Sequence, residues 1–562
     1  MIGFEEPTAK SEYALMHGKS VDGVSAIVRA NPRKSFAGAL ALVSLVIVGC
    51  LSTAGTYNLT LEAKAPAQWH GVSLGGWLLM EINPKSRIPT DPMDKRPSWM
   101  FDQIYGASEL DFIVELRAEK GDEFTVQTMR NHWEGYITDE MLDDAVALGV
   151  DTMRIPMGYW IMDPPVGGTS PLEYGFTPEG FVSGGLNALH TMLVKLKKRG
   201  IGALIDIHSM PCNSACISDG LYCAAPLGFL GKGQAPIGDM ERCEHAGGGT
   251  YKTLRVPKDG EREWVDVGVN SVGSLAKWLS ELPEEAQTVI AFQLANEPAL
   301  GPTTREIYLG ILSFYERALV EARKHLPTVP LIFSFMGPTP DVRAVMLKVQ
   351  AADKKAGGGG IIGDHHYYLD WQACCGTAPG VPALNSMPWD EIHRRTCRLE
   401  AEGNAHDIDV YGHVGLEVMV GEWSLATNLD APMDLDDAET VAQLKHFYEE
   451  QLETFSSRKE IRGSFFWTLR MGSGWDPRPT AEHPNGVQLA GTSAWKSYAA
   501  YPFKIWSLLE MKRAKIAGPL NGLYLGTCAK NRCQGILGTC DIGLGKQPPA
   551  PPGLPADYVR DN

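Results

Sequence analysis

Short apolar segments alternate with amphipathic segments along most of the chain. Eight apolar segments have the length of buried strands, and most carry polar or aromatic side chains at or near their ends; they lie at residues 71–80, 150–156, 201–208, 288–297, 329–335, 360–368, 417–423 and 461–468. Between them, apolar residues recur at spacings of three and four, which predicts helices at residues 138–149, 181–199, 270–281, 304–325, 339–351, 387–400, 436–455 and 494–512. Eight strand–helix units predict an α/β protein with a (β/α)8 TIM barrel.

An open doubly wound sheet alternates strands and helices in the same way. Its dinucleotide-binding turn carries glycines in the order GxGxxG, whereas residues 71–76 read GVSLGG. These glycines indicate close backbone packing at a strand, so the closed barrel is favoured. Three long segments, at residues 84–135, 209–269 and 369–386, are predicted insertions after strands. In a barrel, such βα loops wall the cleft at the carboxyl ends of the strands.

The amino-terminal segment has a different pattern. Residues 1–34 are polar with basic side chains near their end, and residues 36–57 then carry no charged side chain. A run of about 20 apolar residues is long enough to span a bilayer as a helix, and the basic flank predicts a cytoplasmic amino terminus. We therefore expect a signal-anchor transmembrane helix at residues 35–57. The alternative is a secretory signal that is cleaved.

Both interpretations place most of the chain outside the cytoplasm, either as a type II single-pass membrane protein with an extracellular catalytic domain or as a secreted protein. The predicted barrel domain covers residues 69–512, and residues 513–562 form a Cys-containing, Pro-rich tail. Ten cysteines follow the apolar run, and an even number in an oxidising compartment predicts disulfide bonds. The cysteines from Cys212 to Cys243 are expected to crosslink one long loop through disulfide bonds.

The formal net charge of −16 argues against a nucleic-acid partner, because proteins that bind nucleic acids carry clustered basic surface. A neutral substrate is more compatible with this charge.

Two glutamates follow predicted buried strands. Glu297 ends the fourth predicted strand and Glu422 ends the seventh. A buried unpaired charge is costly, so carboxylates in these places indicate the open mouth of the barrel. Paired carboxylates are the groups that glycoside hydrolysis requires, one to protonate the leaving oxygen and one to attack the anomeric carbon or activate water. Other polar or aromatic residues expected on the same rim are Glu81, Arg154, His208, Asn296, His366, Tyr368 and Trp467.

Five motifs in order give the chain a family resemblance. They are GVSLGGWLLMEI at residues 71–82, RIPMGYW at 154–160, NEP at 296–298, DHHYY at 364–368 and GEW at 421–423. Together they resemble glycoside hydrolase family five, and more narrowly its exo-β-1,3-glucanase branch, over roughly residues 69–510.

The resemblance implies roles for individual residues. Glu297 would be the general acid/base and Glu422 the nucleophile, with retention of the anomeric configuration. Arg154 would steady the charge of Glu422, and Asn296 would hydrogen-bond the sugar 2-hydroxyl. The remaining residues implied to bind substrate are Glu81, His208, His366, Tyr368 and Trp467.

The implied activity is a retaining, exo-acting β-1,3-glucan glucosidase that releases glucose from the non-reducing ends of cell-wall glucan. The implied partners are β-glucan and, through the amino-terminal helix, a membrane; no cofactor and no metal are implied. The alternatives are a β-glucan transglycosylase, another β-glucosidase or endo-glucanase of the family, and an inactive glucan-binding barrel. A metal-dependent hydrolase would instead use His208, His366 and Asp364 as ligands.

Overall fold

The computed structural model describes residues 68–80, 109–210, 264–298, 305–334, 340–368, 388–398, 416–426, 435–470, 475–476, 478–488 and 505–528. The strands in these ranges are β1 (Trp69–Ser73), β2 (Thr152–Gly158), β3 (Gly175–Phe176), β4 (Val182–Ser183), β5 (Gly202–Ser209), β6 (Val289–Gln293), β7 (Leu331–Ser334), β8 (Ile361–Tyr367), β9 (Glu417–Trp423), β10 (Ile461–Phe466), β11 (Trp475–Asp476) and β12 (Val487–Gln488).

The helices are α1 (Glu109–Lys120), α2 (Asp122–Gly135), α3 (Asp139–Ala147), α4 (Gly185–Lys198), α5 (Trp264–Ser280), α6 (Arg305–Arg323), α7 (Pro340–Lys355), α8 (Trp389–Arg398), α9 (Ala438–Ser456) and α10 (Leu508–Arg513). Single 3₁₀ turns lie at Tyr159–Met162 and Glu284–Ala286.

Eight strands of the described part close into a barrel in the order β1-β10-β9-β8-β7-β6-β5-β2. Their pairings are parallel, and β1 closes the cylinder because it pairs with β2 on one side and β10 on the other. Val72 lies opposite Met153 in one pairing and opposite Phe466 in the other. The predicted (β/α)8 barrel is confirmed, and each of the eight predicted strand segments overlaps one barrel strand.

Alternation along each strand sorts side chains between the barrel interior and the helical layer. Along β5, Leu204 belongs to a small apolar cluster made by the barrel strands, whereas Ile205 and Ile207 belong to the large core shared with the helices. Asp206 and His208 continue the face of Leu204, so polar groups follow an apolar residue toward the carboxyl end of the strand. The other members of the small cluster are Trp69, Ala291, Ile332, Ile362, Met419 and Phe465.

Helix ends follow the capping residues in the sequence. The side chain of Thr138 caps α3, since it accepts a hydrogen bond from the Met141 amide at 3.3 Å. Asp437 caps α9 through the Thr440 amide at 2.8 Å, and Ser507 caps α10. Each cap satisfies an amide that has no partner within its own helix.

The predicted insertions are partly helical. Residues 84–135 contain α1 and α2, and α5 begins at Trp264, inside the segment predicted as the second insertion. The last predicted helix, residues 494–512, is represented by α10 alone, since residues 489–504 lie outside the described ranges.

The chain remains folded beyond the predicted domain end at residue 512. Helix α10 crosses that boundary, and Ile516 and Leu520 are buried after it. Cys528 forms a disulfide with Cys397 of α8 and is buried. The other cysteines expected to form disulfides, including the group between Cys212 and Cys243, lie outside the described residues.

In the ranges that the structure describes, no helix has the length and apolar content needed to cross a bilayer. The predicted cytoplasmic segment, residues 1–34, and the predicted signal anchor, residues 35–57, both lie outside these ranges.

Glu109 is a buried carboxyl group at the start of α1. Its Oε2 accepts a hydrogen bond from the Met80 amide at 2.7 Å, and burial raises its pKa from 4.5 to about 8. The folded protein therefore keeps a proton that the unfolded chain releases above pH 4.5. Glu109 makes the free energy of unfolding fall as the pH rises through the interval between these two values.

Glu109→Gln should remove this pH dependence, because glutamine stays neutral and keeps a carbonyl acceptor for Met80. Relative to the parent, the variant should become more stable from pH 5 to pH 8, by about 1 kcal/mol per pH unit. Chemical denaturation across this range measures the change. Glu119→Gln, at a more exposed position on the same helix, is the matched control. A parent-to-variant difference that stays constant with pH contradicts the expectation.

Candidate active site

The predicted site residues that the structure describes converge at the carboxyl ends of the barrel strands. Arg154 lies on β2, His208 on β5, His366 on β8 and Glu422 on β9. The others follow strands: Tyr368 directly after β8, Trp467 directly after β10, and Asn296 and Glu297 shortly after β6. Glu81 follows Met80, the last residue of its described range, and lies outside it.

Glu297 and Glu422 face each other across the mouth. They are 7% and 6% exposed, and one carboxylate oxygen of each lies within 4.8 Å of the other and of a His366 ring nitrogen. Glu297 has φ of 40°, a left-handed backbone conformation that is uncommon for residues other than glycine. Strain of this kind collects at functional sites, where the surrounding structure enforces it. The two carboxylates can therefore contact the same atom or neighbouring atoms of one bound molecule.

Arg154 is a fully buried cation beneath the two glutamates. Its Nη1 donates to Glu422 Oε1 at 2.8 Å, its Nη2 donates to Asn296 Oδ1 at 2.7 Å, and its Nε donates to Gln293 Oε1 at 3.0 Å. Nη2 also lies 3.0 Å from Asp206 Oδ2. Burial lowers the pKa of Arg154, but the surrounding carboxylates outweigh burial and raise it. The guanidinium therefore stays charged.

Glu422 accepts a hydrogen bond on each carboxylate oxygen. Arg154 binds Oε1, and the Tyr368 hydroxyl donates to Oε2 at 2.8 Å. Burial and the charge of Glu422 raise the pKa of Tyr368 well above its ordinary value, so the hydroxyl keeps its proton. Two donors, one on each oxygen, therefore fix the orientation of this carboxylate.

His366 connects the two glutamates through a second buried positive charge. Burial lowers the pKa of His366, but Glu422, Asp364 and Glu297 outweigh burial and raise it well above its ordinary value. The protonated ring donates from Nδ1 to Glu297 Oε1 at 2.5 Å and from Nε2 to Asp364 Oδ2 at 3.0 Å. Burial raises the pKa of Asp364, but His366, Arg154 and Gln293 lower it below its ordinary value, so Asp364 accepts as a carboxylate.

His208 orients Asn296. Its Nδ1 lies 2.7 Å from Asp206 Oδ2, and its Nε2 lies 3.2 Å from Asn296 Nδ2. Because the amide nitrogen can only donate, Nε2 accepts and Nδ1–H donates to Asp206. Asn296 is thus held at both ends, by His208 at its nitrogen and by Arg154 at its oxygen.

Comparison with known proteins identifies the family. Residues 118–456 match the family model for cellulase, glycosyl hydrolase family 5. The chain belongs to this family. It is therefore a glycoside hydrolase.

Individual relatives of the glycosyl hydrolase have low sequence identity to it. A Schizosaccharomyces pombe protein named glucan 1,3-beta-glucosidase 3 is 24% identical over 74% of this chain and 72% of its own length. An Emericella nidulans protein named probable glucan 1,3-beta-glucosidase A is 27% identical over 79% of this chain and 93% of its own. A glucan endo-1,6-beta-glucosidase B from the same organism is 27% identical, but the match spans only 28% of this chain and 36% of that protein.

Sequence reasoning missed Asp206 and Gln293 in the layer below the glutamates of the glycosyl hydrolase, and it considered Asp364 only as a possible metal ligand. Asp206, Gln293 and Asp364 are buried and contact Arg154 or His366. Gln293 links two of these groups, since its Nε2 donates to Asp364 Oδ2 at 2.7 Å. A signal was present in the sequence, because residues two apart on a strand share a face. Asp206 precedes His208 by two positions, and Asp364 precedes His366 in the same way.

Trp467 also borders the site of the glycosyl hydrolase. Its ring stacks on His208 with centroids 5.4 Å apart and an interplanar angle of 13°, and the Arg154 guanidinium lies 5.8 Å from the ring centroid. One face of the indole is therefore covered by protein.

Three side chains at the barrel mouth, Glu297, His366 and Glu422, are close enough together to be considered as a metal ligand set. Each ring nitrogen of His366 contacts a carboxylate there, Nδ1 that of Glu297 and Nε2 that of Asp364. The alternative set of His208, His366 and Asp364 does not form such a compact group in the described part of the chain.

Asp364→Asn should shift the pH dependence of hydrolysis. Asp364 is one of the carboxylates that raise the pKa of His366, so its replacement should let His366 lose its proton at lower pH. If hydrolysis requires the proton donated to Glu297, the basic limb of kcat/KM should move to lower pH by about 1 unit. Rates on an aryl β-glycoside across the pH range measure the shift.

Asp353→Asn is the control, because Asp353 is an equally buried carboxylate that pairs with Arg323 away from the site. An unchanged basic limb in Asp364→Asn, with the fold intact by circular dichroism, contradicts the role assigned to His366.

Proposed function

We propose that this glycosyl hydrolase is a retaining, exo-acting β-1,3-glucan glucosidase that releases glucose from the non-reducing ends of cell-wall glucan. The proposal depends mainly on the short separation of Glu297 and Glu422, whose carboxylate oxygens approach within 4.8 Å. Retaining glycosidases hold their carboxyl groups about 5–5.5 Å apart, whereas inverting enzymes keep about 6.5–9.5 Å for a water molecule. The names of the two long-matching relatives support the substrate.

In the first step, Glu422 attacks the anomeric carbon and Glu297 protonates the glycosidic oxygen. The bond from the anomeric carbon to the leaving oxygen breaks as the bond to Glu422 forms, which leaves a glucosyl ester and a shortened glucan. In the second step, Glu297 removes a proton from water, which attacks the same carbon and releases glucose and the Glu422 carboxylate. Two inversions at one carbon give net retention.

The contacts of the two carboxylates support this division of roles. Glu422 has a donor on each oxygen, Arg154 and Tyr368, and these two hydrogen bonds orient it as a nucleophile. Glu297 instead contacts the protonated Nδ1 of His366. The proton shared by His366 and Glu297 is then available for the glycosidic oxygen, and the same pair can receive a proton from water in the second step.

The remaining residues bind the sugar. Asn296 Nδ2 uses one hydrogen for His208, and its second hydrogen would serve the 2-hydroxyl, a contact that strengthens in the transition state. Trp467 would pack against the sugar on the side of the indole away from His208. Glu81, after β1, would bind hydroxyls of the terminal glucose and so favour exo action. No cofactor takes part in these steps.

A second candidate is endo-acting cleavage of β-1,6-linked glucan. It is favoured by the resemblance to the Emericella nidulans endo-1,6 relative, although that match spans a small part of both chains. A transglycosylase follows the same first step and differs only in the acceptor that resolves the glucosyl ester.

The proposed reaction is tested with a purified laminarin-type oligosaccharide. We expect glucose to be the first product, one residue at a time, and to appear as the β-anomer by NMR before mutarotation. Early release of longer oligomers would indicate endo action. Initial formation of the α-anomer would contradict retention, and cleavage of β-1,6-linked but not β-1,3-linked oligomers would support the second candidate.

Two variants assign the roles in the same assay. Glu297→Gln should lower kcat by about 10²–10⁴-fold on the oligosaccharide, but much less for glucosyl-enzyme formation from an aryl glucoside whose leaving group needs no proton. Glu422→Gln should abolish turnover of both substrates. Glu453→Gln is the control, since Glu453 is similarly buried but binds the Cys528 amide outside the site. The reverse pattern would exchange the two roles.

We also propose that residues 35–57 anchor the enzyme as a type II membrane protein with its catalytic domain outside the cell. The support is the uncharged run at residues 36–57 after a basic flank. Alkaline carbonate should leave the full chain in the membrane fraction, because a spanning helix is held by its apolar contacts with lipid. Release of a shortened chain into the medium would indicate a cleaved signal.

A further inference from the structure

A second cluster of metal-ligating side chains lies away from the barrel mouth, between α8 and α9. His393 of α8 and His446 and Glu450 of α9 each offer a ligand atom, and these atoms lie within 4.8 Å of one another. Glu450 is fully buried, whereas the side chain of His446 is 45% exposed. The cluster thus combines a buried carboxylate with a path to solvent.

The helices position these side chains through simple spacing. His446 and Glu450 are four residues apart on α9, so they lie on one face of the helix. His393 approaches that face from α8, and its ring meets the His446 ring with centroids 4.6 Å apart and an interplanar angle of 77°. Trp389, one turn before His393, stacks on the His393 ring at 5.6 Å and restricts its orientation.

The two histidines contact different oxygens of Glu450. His393 Nδ1 lies 2.6 Å from Oε2, and His446 Nε2 lies 2.9 Å from Oε1. The other nitrogen of His393, Nε2, lies 2.8 Å from Gln443 Oε1. A carbonyl oxygen can only accept, so Nε2 donates to Gln443. Nδ1 faces a carboxylate, which also accepts, and an ion bound at Nδ1 would displace the proton from that nitrogen.

This arrangement matches the surroundings of metal-bound histidines. Such residues usually donate the N–H of the distal nitrogen to a carbonyl or carboxylate, which fixes the tautomer and points the other nitrogen at the ion. Gln443 provides that acceptor for His393. Two imidazoles and a carboxylate are a common ligand set for zinc and related divalent transition ions.

We propose that His393, His446 and Glu450 bind one divalent transition cation, with zinc as the preferred ion. Zinc bonds to nitrogen and carboxylate oxygen are about 2.0–2.2 Å long, so tetrahedral ligands lie about 3.3 Å apart. The distances from His393 Nδ1 and His446 Nε2 to the Glu450 oxygens would each lengthen by less than about 1 Å when the ion binds between them. The exposed side of His446 leaves a fourth position for water.

The expected consequence is a second crosslink between neighbouring parts of the barrel wall. Cys397 lies one turn after His393 on α8, and its disulfide to Cys528 already ties α8 to the carboxyl-terminal segment. A cation would tie α8 directly to α9. Because a site assembled from separate helices does not exist in the unfolded chain, binding would stabilise the folded state.

Zinc titration of the purified, disulfide-intact full chain without a polyhistidine tag tests the site. Isothermal calorimetry should give one equivalent of bound zinc in the parent and in Glu422→Gln, which alters the other His and Glu cluster. His446→Ala should weaken binding by at least about 10-fold. His190→Ala, at a partly buried histidine on α4, should bind zinc as the parent does.

Thermal unfolding gives a readout that does not depend on activity. Zinc at about 100 times its dissociation constant should raise the Tm of the parent by about 3 °C, and His446→Ala should lose this rise. Equal binding by His446→Ala and the parent, loss of binding only in Glu422→Gln, or no binding by the parent overturns the proposal. In the last case, the cluster is an ion pair between Glu450 and its histidines only.

Discussion

One buried guanidinium organises the mouth of the barrel. Arg154 has no exposed surface, and moving its charge out of water is costly unless nearby groups compensate for the lost hydration. The compensation comes from three strands or their ends, β5, β6 and β9, because Glu422, Asn296, Gln293 and Asp206 all accept hydrogen bonds from Arg154 or form an ion pair with it. The position of Glu422, the proposed nucleophile, therefore depends on a cation carried by β2.

The second cation, His366, makes the site asymmetric. Arg154 binds Glu422, whereas His366 donates one hydrogen bond to Glu297 and another to Asp364. Two similar carboxylates thus lie in different surroundings, one held by a cation that never loses its proton and the other beside a group that can exchange one. Such differences allow two acids to perform opposite tasks in one reaction. Gln293 links the two halves through Arg154 and Asp364.

The outer wall of the barrel carries chemistry of its own. The cluster of His393, His446 and Glu450 lies between two helices that follow β8 and β9, the strands that carry His366 and Glu422. Helices after strands of a barrel usually serve to bury apolar surface. Here a buried carboxylate with two imidazoles replaces part of that apolar contact, beside the disulfide between Cys397 and Cys528.

The sequence by itself determined the barrel and most of the mouth. Apolar runs ending in Glu297, His366 and Glu422 could be recognised because strand ends in a parallel barrel share one rim, whatever their separation along the chain. The motif resemblance then gave the family. Asp206 and Gln293 were missed, and Asp364 was considered only as a possible metal ligand, because these residues lie inside apolar strands, where alternation assigns a face but does not reveal a polar partner.

Only the tertiary structure decided the distances and charges. The approach of Glu297 to Glu422, the left-handed backbone at Glu297 and the tautomer of His208 depend on contacts between strands that are remote in sequence. The charged state of His366 depends on three carboxylates, Asp364 on β8, Glu422 on β9 and Glu297 after β6. Local sequence pattern sets which face a side chain occupies, whereas electrostatic energy depends on separation in space, which closure of the barrel alone establishes.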